Sequence, residues 1–266
     1  MKITFLGTGG AFSRIKENYQ NNSIIEMADG YSLLIDCGTT ALESLSKLEG
    51  YKEAPHKIDG VLVTHIHADH VGGLEELAFR NYFLEDKRKI DLFISPALLP
   101  MRSGEVGDGT DLWENCLKGG LQHIQDAESN PLKATLDTYF NVIMSNEFHI
   151  RGSSFILFKT EHVSGKASFG FYITETKDEN KPKMSLFSAD SKRLDPTLYE
   201  VADLIFHDCA FFPKYPSTVH THFEELCELP LEVRKKIKIM HYGDPKNQPD
   251  DLCNMDLVKA HQSYML

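Results

Sequence analysis

The stretch Thr64-His65-Ile66-His67-Ala68-Asp69-His70 sets three imidazoles and one carboxylate side by side, directly after the apolar run Val61 to Thr64. Imidazole nitrogen and carboxylate oxygen bind borderline divalent cations such as zinc, whose catalytic sites commonly take three protein ligands and a water. The His-x-His-x-Asp-His spacing suits two ions, with His65 and His67 aimed at one and Asp69 and His70 at a second. Four ligands do not complete two sites. Three later residues end apolar runs of their own: His162 after Phe155 to Thr160, Asp190 after Met184 to Ser188, and His241 after Lys236 to Met240. His162 would complete the first ion, Asp190 would bridge both, and His241 would complete the second. Taken singly, His162 could be a strand-end histidine and Asp190 a turn or helix cap. Asp36, in Leu34-Ile35-Asp36-Cys37-Gly38, either holds a ligand imidazole from behind or is a turn aspartate before Gly38. Zn2+ fits the donor set, and Mn2+ or Fe2+ fit it as well.

These residues need elements that bring them together. Short β-type runs are read at Lys2 to Leu6, which enters the turn Gly7-Thr8-Gly9-Gly10, and at Ser23 to Met27 and Tyr31 to Ile35, which flank the hairpin signal Ala28-Asp29-Gly30. Further runs are Val61 to Thr64, Phe155 to Thr160, Phe169 to Thr174, Met184 to Ser188, Leu204 to Phe206 and Lys236 to Met240. Helical patterns are read at Thr39 to Leu48, Leu74 to Phe83 and Asp111 to Leu121, with short helices or turns over Phe223 to Leu229 and Pro230 to Lys235. This order predicts two β-sheets packed face to face with helices outside. The stretch from about Met101 to Met144 is the least strand-like and is read as a helical or loop insertion, a candidate active-site lid. Several runs deliver His or Asp at their C-terminal ends, the edge where α/β layers gather ligands.

The chain has 266 residues, enough to bury a core without staples, and a formal net charge of −11. That charge disfavours a surface that tracks long nucleic acid. It does not exclude a small anionic substrate, because bound cations reverse the local field. No run approaches the roughly 18 apolar residues of a membrane span, and Met1 to Leu6 is too short for the apolar region of a secretory signal. Five cysteines without C-x-x-C spacing suggest reduced thiols. A cytoplasmic protein without a membrane partner is expected.

Over nearly its whole length the sequence resembles the metallo-β-lactamase superfamily. The matching pieces are Phe5-Leu6-Gly7-Thr8-Gly9, Ile35-Asp36-Cys37-Gly38, Thr64 to Gly73, His162, Ser188-Ala189-Asp190 and His241-Tyr242-Gly243. The resemblance implies an α/β fold, a four-layer αββα sandwich in one domain over residues 1–266, with two Zn2+ at its edge. Fold alone does not fix the reaction. The opening Phe5 to Ser13 looks like the start of the branch holding tRNase Z and cyclic-nucleotide phosphodiesterases. His207-Asp208-Cys209-Ala210-Phe211 is similar to that branch's His-Glu-Ala-Thr-Phe segment, with Asp208 in place of glutamate, which leaves the role of the acidic position open. Val219-His220-Thr221-His222 is similar to its His-Ser-Thr element, whose histidine acts on the leaving group. His220 is the better match and His222 a second substrate contact; the alternative is that both cap the helix starting at Phe223. tRNase Z carries a long arm after the His162 position, whereas here Val163 to Phe171 follows at once. The whole pattern is most similar to the armless cyclic-nucleotide phosphodiesterases, and among them to the phage anti-Pycsar enzymes.

The resemblance implies hydrolysis of 3′,5′-cyclic CMP, UMP, AMP and GMP to 5′-monophosphates, counteracting bacterial Pycsar signalling, by a homodimer in the host cytoplasm. Two divalent ions, Asp69, Asp190 and a bridging hydroxide would leave the site at about +1, which suits an anionic substrate. Asp69 would orient the attacking water and act as general base, and His220 would protonate the leaving oxygen. Alternatives are another phosphodiesterase of the branch, acting on cyclic ribose phosphates, cyclic dinucleotides or RNA 3′ ends, a thioester or lactone hydrolase, and a nucleotide-sequestering protein.

Overall fold

A computed structural model of the chain describes residues 1–13, 18–104, 110–125, 129–175, 182–211, 219–243 and 245–266. The strands are β1 Lys2–Phe5, β2 Ser23–Glu26, β3 Ser32–Ile35, β4 Gly60–Val63, β5 Ile90–Ile94, β6 His123–Gln125, β7 Pro131–Lys133 and β8 Phe140–Met144. They continue as β9 Glu147–Ile150, β10 Ser153–Lys159, β11 Phe169–Glu175, β12 Lys183–Phe187, β13 Leu204–Asp208, β14 Ile237–Met240, β15 Asp256–Leu257 and β16 Ser263–Met265. One sheet runs β16-β1-β2-β3-β4-β5-β8 and the other β15-β14-β13-β12-β11-β10-β9, while β6 and β7 form a separate small hairpin.

In the first sheet β3, β4, β5 and β8 are mutually parallel, with Leu33 opposite Gly60 and Val61 opposite Leu92. In the second, β12, β13, β14 and β15 are parallel, with Phe187 opposite Phe206 and Asp208 opposite Met240. Parallel neighbours present their C-terminal ends at a common edge. The loops that leave β3, β4, β12, β13 and β14 therefore start side by side.

Alternation along β12 to β14 gives the second sheet two apolar faces, because successive side chains point to opposite sides. Phe187, Phe206 and Met240 join the core between the sheets. Leu186, Ile205, Ile237 and Ile239 join a second core with Tyr199, Leu226 and Leu229. Between the sheets Phe187 stacks on Phe171 at 5.0 Å and on Phe5 at 5.7 Å, and Phe206 lies 5.1 Å from Phe5.

Three expectations are corrected. The stretch Met101 to Met144 is not purely helix and loop. It holds Trp113–Leu117, Lys118–Leu121 and Leu136–Tyr139 as helical turns, but also β6, β7 and β8, and β8 extends the first sheet beside β5. Its burial alternates as an edge strand's does, so its sequence, with a polar Asn141, carries no continuous apolar signal. Residues 105–109 and 126–128 of that stretch lie outside the described residues. The five thiols are not all free, since Cys227 and Cys253 form a disulfide and Cys37, Cys116 and Cys209 remain reduced. The third correction, His222, belongs to the site described below. Among the described residues no helix is long and apolar enough to cross a membrane.

Phe187 is 3% exposed and contacts rings from both sheets. Phe187→Ala is expected to cost about 3–5 kcal/mol of unfolding free energy, read from urea denaturation midpoints at constant m-value.

Candidate metal centre

Four strand ends deliver the donor groups. His65 and His67 follow β4, His162 follows β10, Asp190 follows β12 and His241 follows β14. Three residues within two positions of strand ends sit in the left-handed region: Asp36 (φ 59°), Ala189 (φ 49°) and His241 (φ 55°). Non-glycine residues adopt it at a cost of about 1–3 kcal/mol and persist there only where the surroundings over-determine them. Here the ties are explicit. Phe169 N–H donates to the Thr64 carbonyl (3.1 Å), and the Asp190 carbonyl accepts from Thr160 Oγ1 (3.3 Å) and Ser168 Oγ (3.2 Å). The loop Asp36 to Gly38 braces the His65–His70 loop from behind: Cys37 N–H donates to the His70 carbonyl (2.7 Å), and a Cβ on Gly38 would lie 2.0 Å from the Asp69 carbonyl oxygen. Only glycine permits that approach.

The structure brings the seven proposed ligands into two adjoining groups. His65, His67, His162 and Asp190 form one, and Asp69, His70, Asp190 and His241 the other, with donor atoms in each within 4.8 Å of one another. His67 Nδ1 lies 3.0 Å from His65 Nε2 and 3.1 Å from His162 Nε2. Asp190 Oδ2 belongs to both groups, 3.8 Å from His65 Nε2, 3.7 Å from His162 Nε2, 3.4 Å from His70 Nε2 and 3.4 Å from His241 Nε2. Asp69 Oδ2 lies 3.4 Å from His241 Nε2 and 3.5 Å from His70 Nε2.

These contacts fit a cation better than they fit hydrogen bonds. Zinc–ligand bonds of about 2.0–2.1 Å set tetrahedral ligand–ligand edges near 3.3 Å. Among the described residues, His70 Nε2 and Asp190 Oδ1 are buried without a hydrogen-bond partner, which is costly unless something else satisfies them. Burial, then neighbouring imidazoles, push His65 well below its ordinary range; burial, His162 and Lys166 take His67 down to about 4. Neutral imidazole is the ligating form. In the second group burial acts the same way on His70 and His241, but Asp190, with Asp36 at His70 and Asp208 at His241, more than offsets it and raises both. Burial opposes ionisation of Asp69, yet His241 and His70 hold its carboxyl well below the usual range. The carboxylates thus recruit positive charge, and a divalent ion would supply it.

Two further carboxylates orient the imidazoles. Asp36 Oδ2 accepts from His70 Nδ1 (2.7 Å) and from Thr64 Oγ1 (2.7 Å), whose oxygen lies 3.0 Å from His65 Nδ1. Asp36 therefore aims one imidazole of each group, the orienting reading rather than the turn reading. Asp208, fully buried, accepts from His220 Nδ1 (2.8 Å) and from Ser191 N–H (3.0 Å), and lies 3.3 Å from His241 Nδ1. His220 is half-buried, with its ring 5.0 Å from those of His162 and His241. Burial lowers its pKa, Asp208 raises it more, and the net shift is upward.

Two histidines of the same segments face elsewhere. His207 turns into the outer core, with Nε2 2.8 Å from the Tyr199 hydroxyl. His222, expected as a substrate contact, is 2% exposed and precedes the helix Phe223–Cys227, where Glu225 Oε2 accepts from its N–H at 2.9 Å and its ring contacts Glu224. It joins neither group, so the substrate role is withdrawn and the capping position stands. Residue spacing alone concealed the joint service of Asp208 to His220 and His241, because a lone acidic strand end carries no mark of its partners.

A family model described as "Anti-Pycsar protein Apyc1" matches residues 1–264. Curated relatives with that name include one from Paenibacillus harenae, 36% identical over 99% of both chains, and one from Bacillus phage 010DV004, 34% identical over 92% of this chain and 90% of the relative. Among solved structures the fold is similar to the metallo-β-lactamase fold protein YhfI from Bacillus subtilis (TM-score 0.68, 19% identity, 99% and 98% of the two chains). It is also similar to the short form of human tRNase Z (TM-score 0.65, 17% identity, 100% and 99%). The architecture is therefore the αββα metallo-β-lactamase fold.

Asp36→Ala should weaken zinc binding by about 10–100-fold, measured by competition with a chromophoric chelator against a wild type expected to bind two ions per chain. Wild-type affinity in a folded variant would remove the orienting role.

Proposed function

The chain belongs to the anti-Pycsar protein Apyc1 family, and from that premise we propose that it is a two-metal phosphodiesterase. Its substrates are the 3′,5′-cyclic mononucleotides of CMP, UMP, AMP and GMP, and its products the 5′-monophosphates. In this reading it removes the cyclic-nucleotide signal of Pycsar defence, in the cytoplasm, as a homodimer. In that compartment the Cys227–Cys253 pair would meet a reducing thiol pool. The observation that carries the reading is the pairing of the shared Asp190 carboxylate with a separate imidazole, His220, at the rim of the same group.

His65, His67 and His162 would hold one ion, Asp69, His70 and His241 the other, and Asp190 both. When bound, such ions supply Lewis-acid stabilisation of charge on the phosphoryl group and ease ionisation of water. The chain's own residues do the rest. Asp69 orients the attacking water and, as general base, takes the proton it loses. His220, held by Asp208 through Nδ1, presents Nε2 to the leaving oxygen. Water oxygen bonds to phosphorus as the P–O3′ bond breaks, and the proton on His220 passes to O3′. Asp208 stabilises the imidazolium before that transfer and keeps the ring in place, as an orienting carboxylate does for a catalytic imidazole.

Two features favour a small diester over RNA. The connection from β10 to β11 spans only Thr160 to Ser168, leaving no protruding arm. The formal charge of −11 opposes a long polyanion.

Incubation with cyclic CMP, UMP, AMP and GMP should give 5′-monophosphates, lost with chelator and restored by zinc or manganese. Absence of turnover on all four would sink the reading. His220→Ala should lower kcat by about 10²–10⁴-fold at unchanged metal content; wild-type turnover in that variant would remove His220 from the mechanism.

A further inference from the structure

The turn after His162 carries a cation that the metal centre does not use. Lys166 N–H donates to the Val163 carbonyl at 3.1 Å, and Gly165 at the third position has φ 74°. That is a tight turn whose third residue needs positive φ, which glycine supplies without strain. The turn is tied on two sides. Thr110, 2% exposed, donates through Oγ1 to the Gly165 carbonyl (3.5 Å), and Ala167 N–H donates back to Thr110 Oγ1 (3.4 Å). Two residues on, Ser168 pairs with His65 in an isolated bridge and bonds the Asp190 carbonyl through Oγ at 3.2 Å. The same short loop therefore holds His162 in the first ligand group and fixes where Lys166 emerges.

Lys166 is exposed. Among the described residues its ammonium group has no carboxylate partner within ion-pair distance, and no hydrogen bond satisfies it. Its charge is nevertheless felt by two groups on different elements, the His67 imidazole and the Cys116 thiol. Burial raises the Cys116 thiol above its ordinary range, and the Lys166 charge partly offsets that rise. Cys116 itself lies against the metal loop, Sγ 3.9 Å from the Ile66 carbonyl. Lys166 thus sits on the loop that runs from His162, in the first ligand group, to Ser168, which bridges to His65 and bonds the Asp190 carbonyl. In a chain of net charge −11, a cation on that loop offsets the repulsion an incoming anion otherwise meets.

We propose that Lys166 is a substrate-binding residue, its ammonium group pairing with an anionic phosphoryl oxygen at the mouth of the His65–His67–His162 group. The assignment rests on the phosphodiesterase reading above for its substrate, but the anion site can be tested without turnover.

The test titrates inorganic phosphate into the zinc-loaded protein by calorimetry, for wild type, Lys166→Ala and Lys166→Arg, at low and high salt, with zinc content measured for each. Lys166→Ala should weaken phosphate binding by about 3- to 10-fold at low salt, the order of one charge contact near a protein surface. High salt should shrink that difference. Lys166→Arg should stay within about 2-fold of wild type, since the charge is retained. With cyclic CMP as substrate, Lys166→Ala should raise KM by a similar factor and leave kcat nearly unchanged. Phosphate binding to Lys166→Ala that matches wild type overturns the assignment, as does Lys166→Arg as weak as Lys166→Ala at full zinc content. Should wild type turn over no phosphodiester while phosphate binding still depends on Lys166, the substrate reading falls and the anion site stands. Normal turnover with Lys166→Ala indistinguishable in both assays removes the Lys166 site alone.

Discussion

One carboxylate oxygen, Asp190 Oδ2, faces four imidazole nitrogens at 3.4–3.8 Å. His65 and His70 come from the loop after β4 in one sheet, and His162 and His241 from β10 and β14 of the other. The contact therefore joins the two halves of the sandwich at their common edge. A buried carboxylate is tolerated only when positive charge or hydrogen bonds repay its desolvation. Among the described residues, Asp190 Oδ1 and His70 Nε2 have no hydrogen-bond partner. The arrangement is built for charge that the side chains alone do not provide. Left-handed Ala189 and His241 flank this contact, and the ties around the site hold them in that strained conformation.

Support from behind follows the same logic in each sheet. Asp36 leaves β3 and Asp208 ends β13, and each carboxylate serves more than one group. Asp36 takes the Nδ1 proton of His70 and, through Thr64, orients His65. That leaves Nε2 of both rings free for an ion, while His67 offers Nδ1 instead. Asp208 contacts Nδ1 of His241 and of His220. A ligand imidazole and the rim imidazole therefore share one counter-charge, so any change in the charge at His241 is felt at His220. Asp208 is completely buried, which strengthens that coupling because little solvent screens it.

The strand-end donors were legible because each follows an apolar run, and a β-run ending in His or Asp states both the element and the position. Where the sequence was mute, the reason is β geometry. His207 and Asp208 are neighbours on β13, so they face opposite sides: one enters the core around Tyr199, the other the ligand groups. Nothing in the pair His207-Asp208 tells which is which until the register beside β12 and β14 is known. His220 and His222 pose a similar problem, resolved by the pairing of Ala210 with His222, which seats His222 at a helix start. Asp36 admitted a turn or an orienting role because both use the same oxygens, and only its contact with His70 separates them. Strands such as β8, β9 and β16 escaped notice because edge strands bury alternate residues and carry few consecutive apolar positions. The Cys227–Cys253 pair spans 26 residues of sequence, and no spacing rule reaches that far.

The electrostatics of this centre would make cation binding and anion binding one linked equilibrium. Asp36, Asp69, Asp190 and Asp208 place four carboxylates in a buried volume shared with six imidazoles, inside a chain of formal charge −11. Without cations, positive charge comes only from protons on groups such as His70 and His241, raised by the very carboxylates they neutralise. Such protonated rings cannot also present a lone pair to an ion, so cation entry must expel those protons. Bound cations would then turn the field at the mouth toward positive, as the proposed anionic diester would require. On the proposed reading, loss of the cations would therefore remove more than help in ionising water. It would restore a cluster of carboxylates against which a phosphate would have to be buried, and that cost would fall on the proposed binding as well as on turnover.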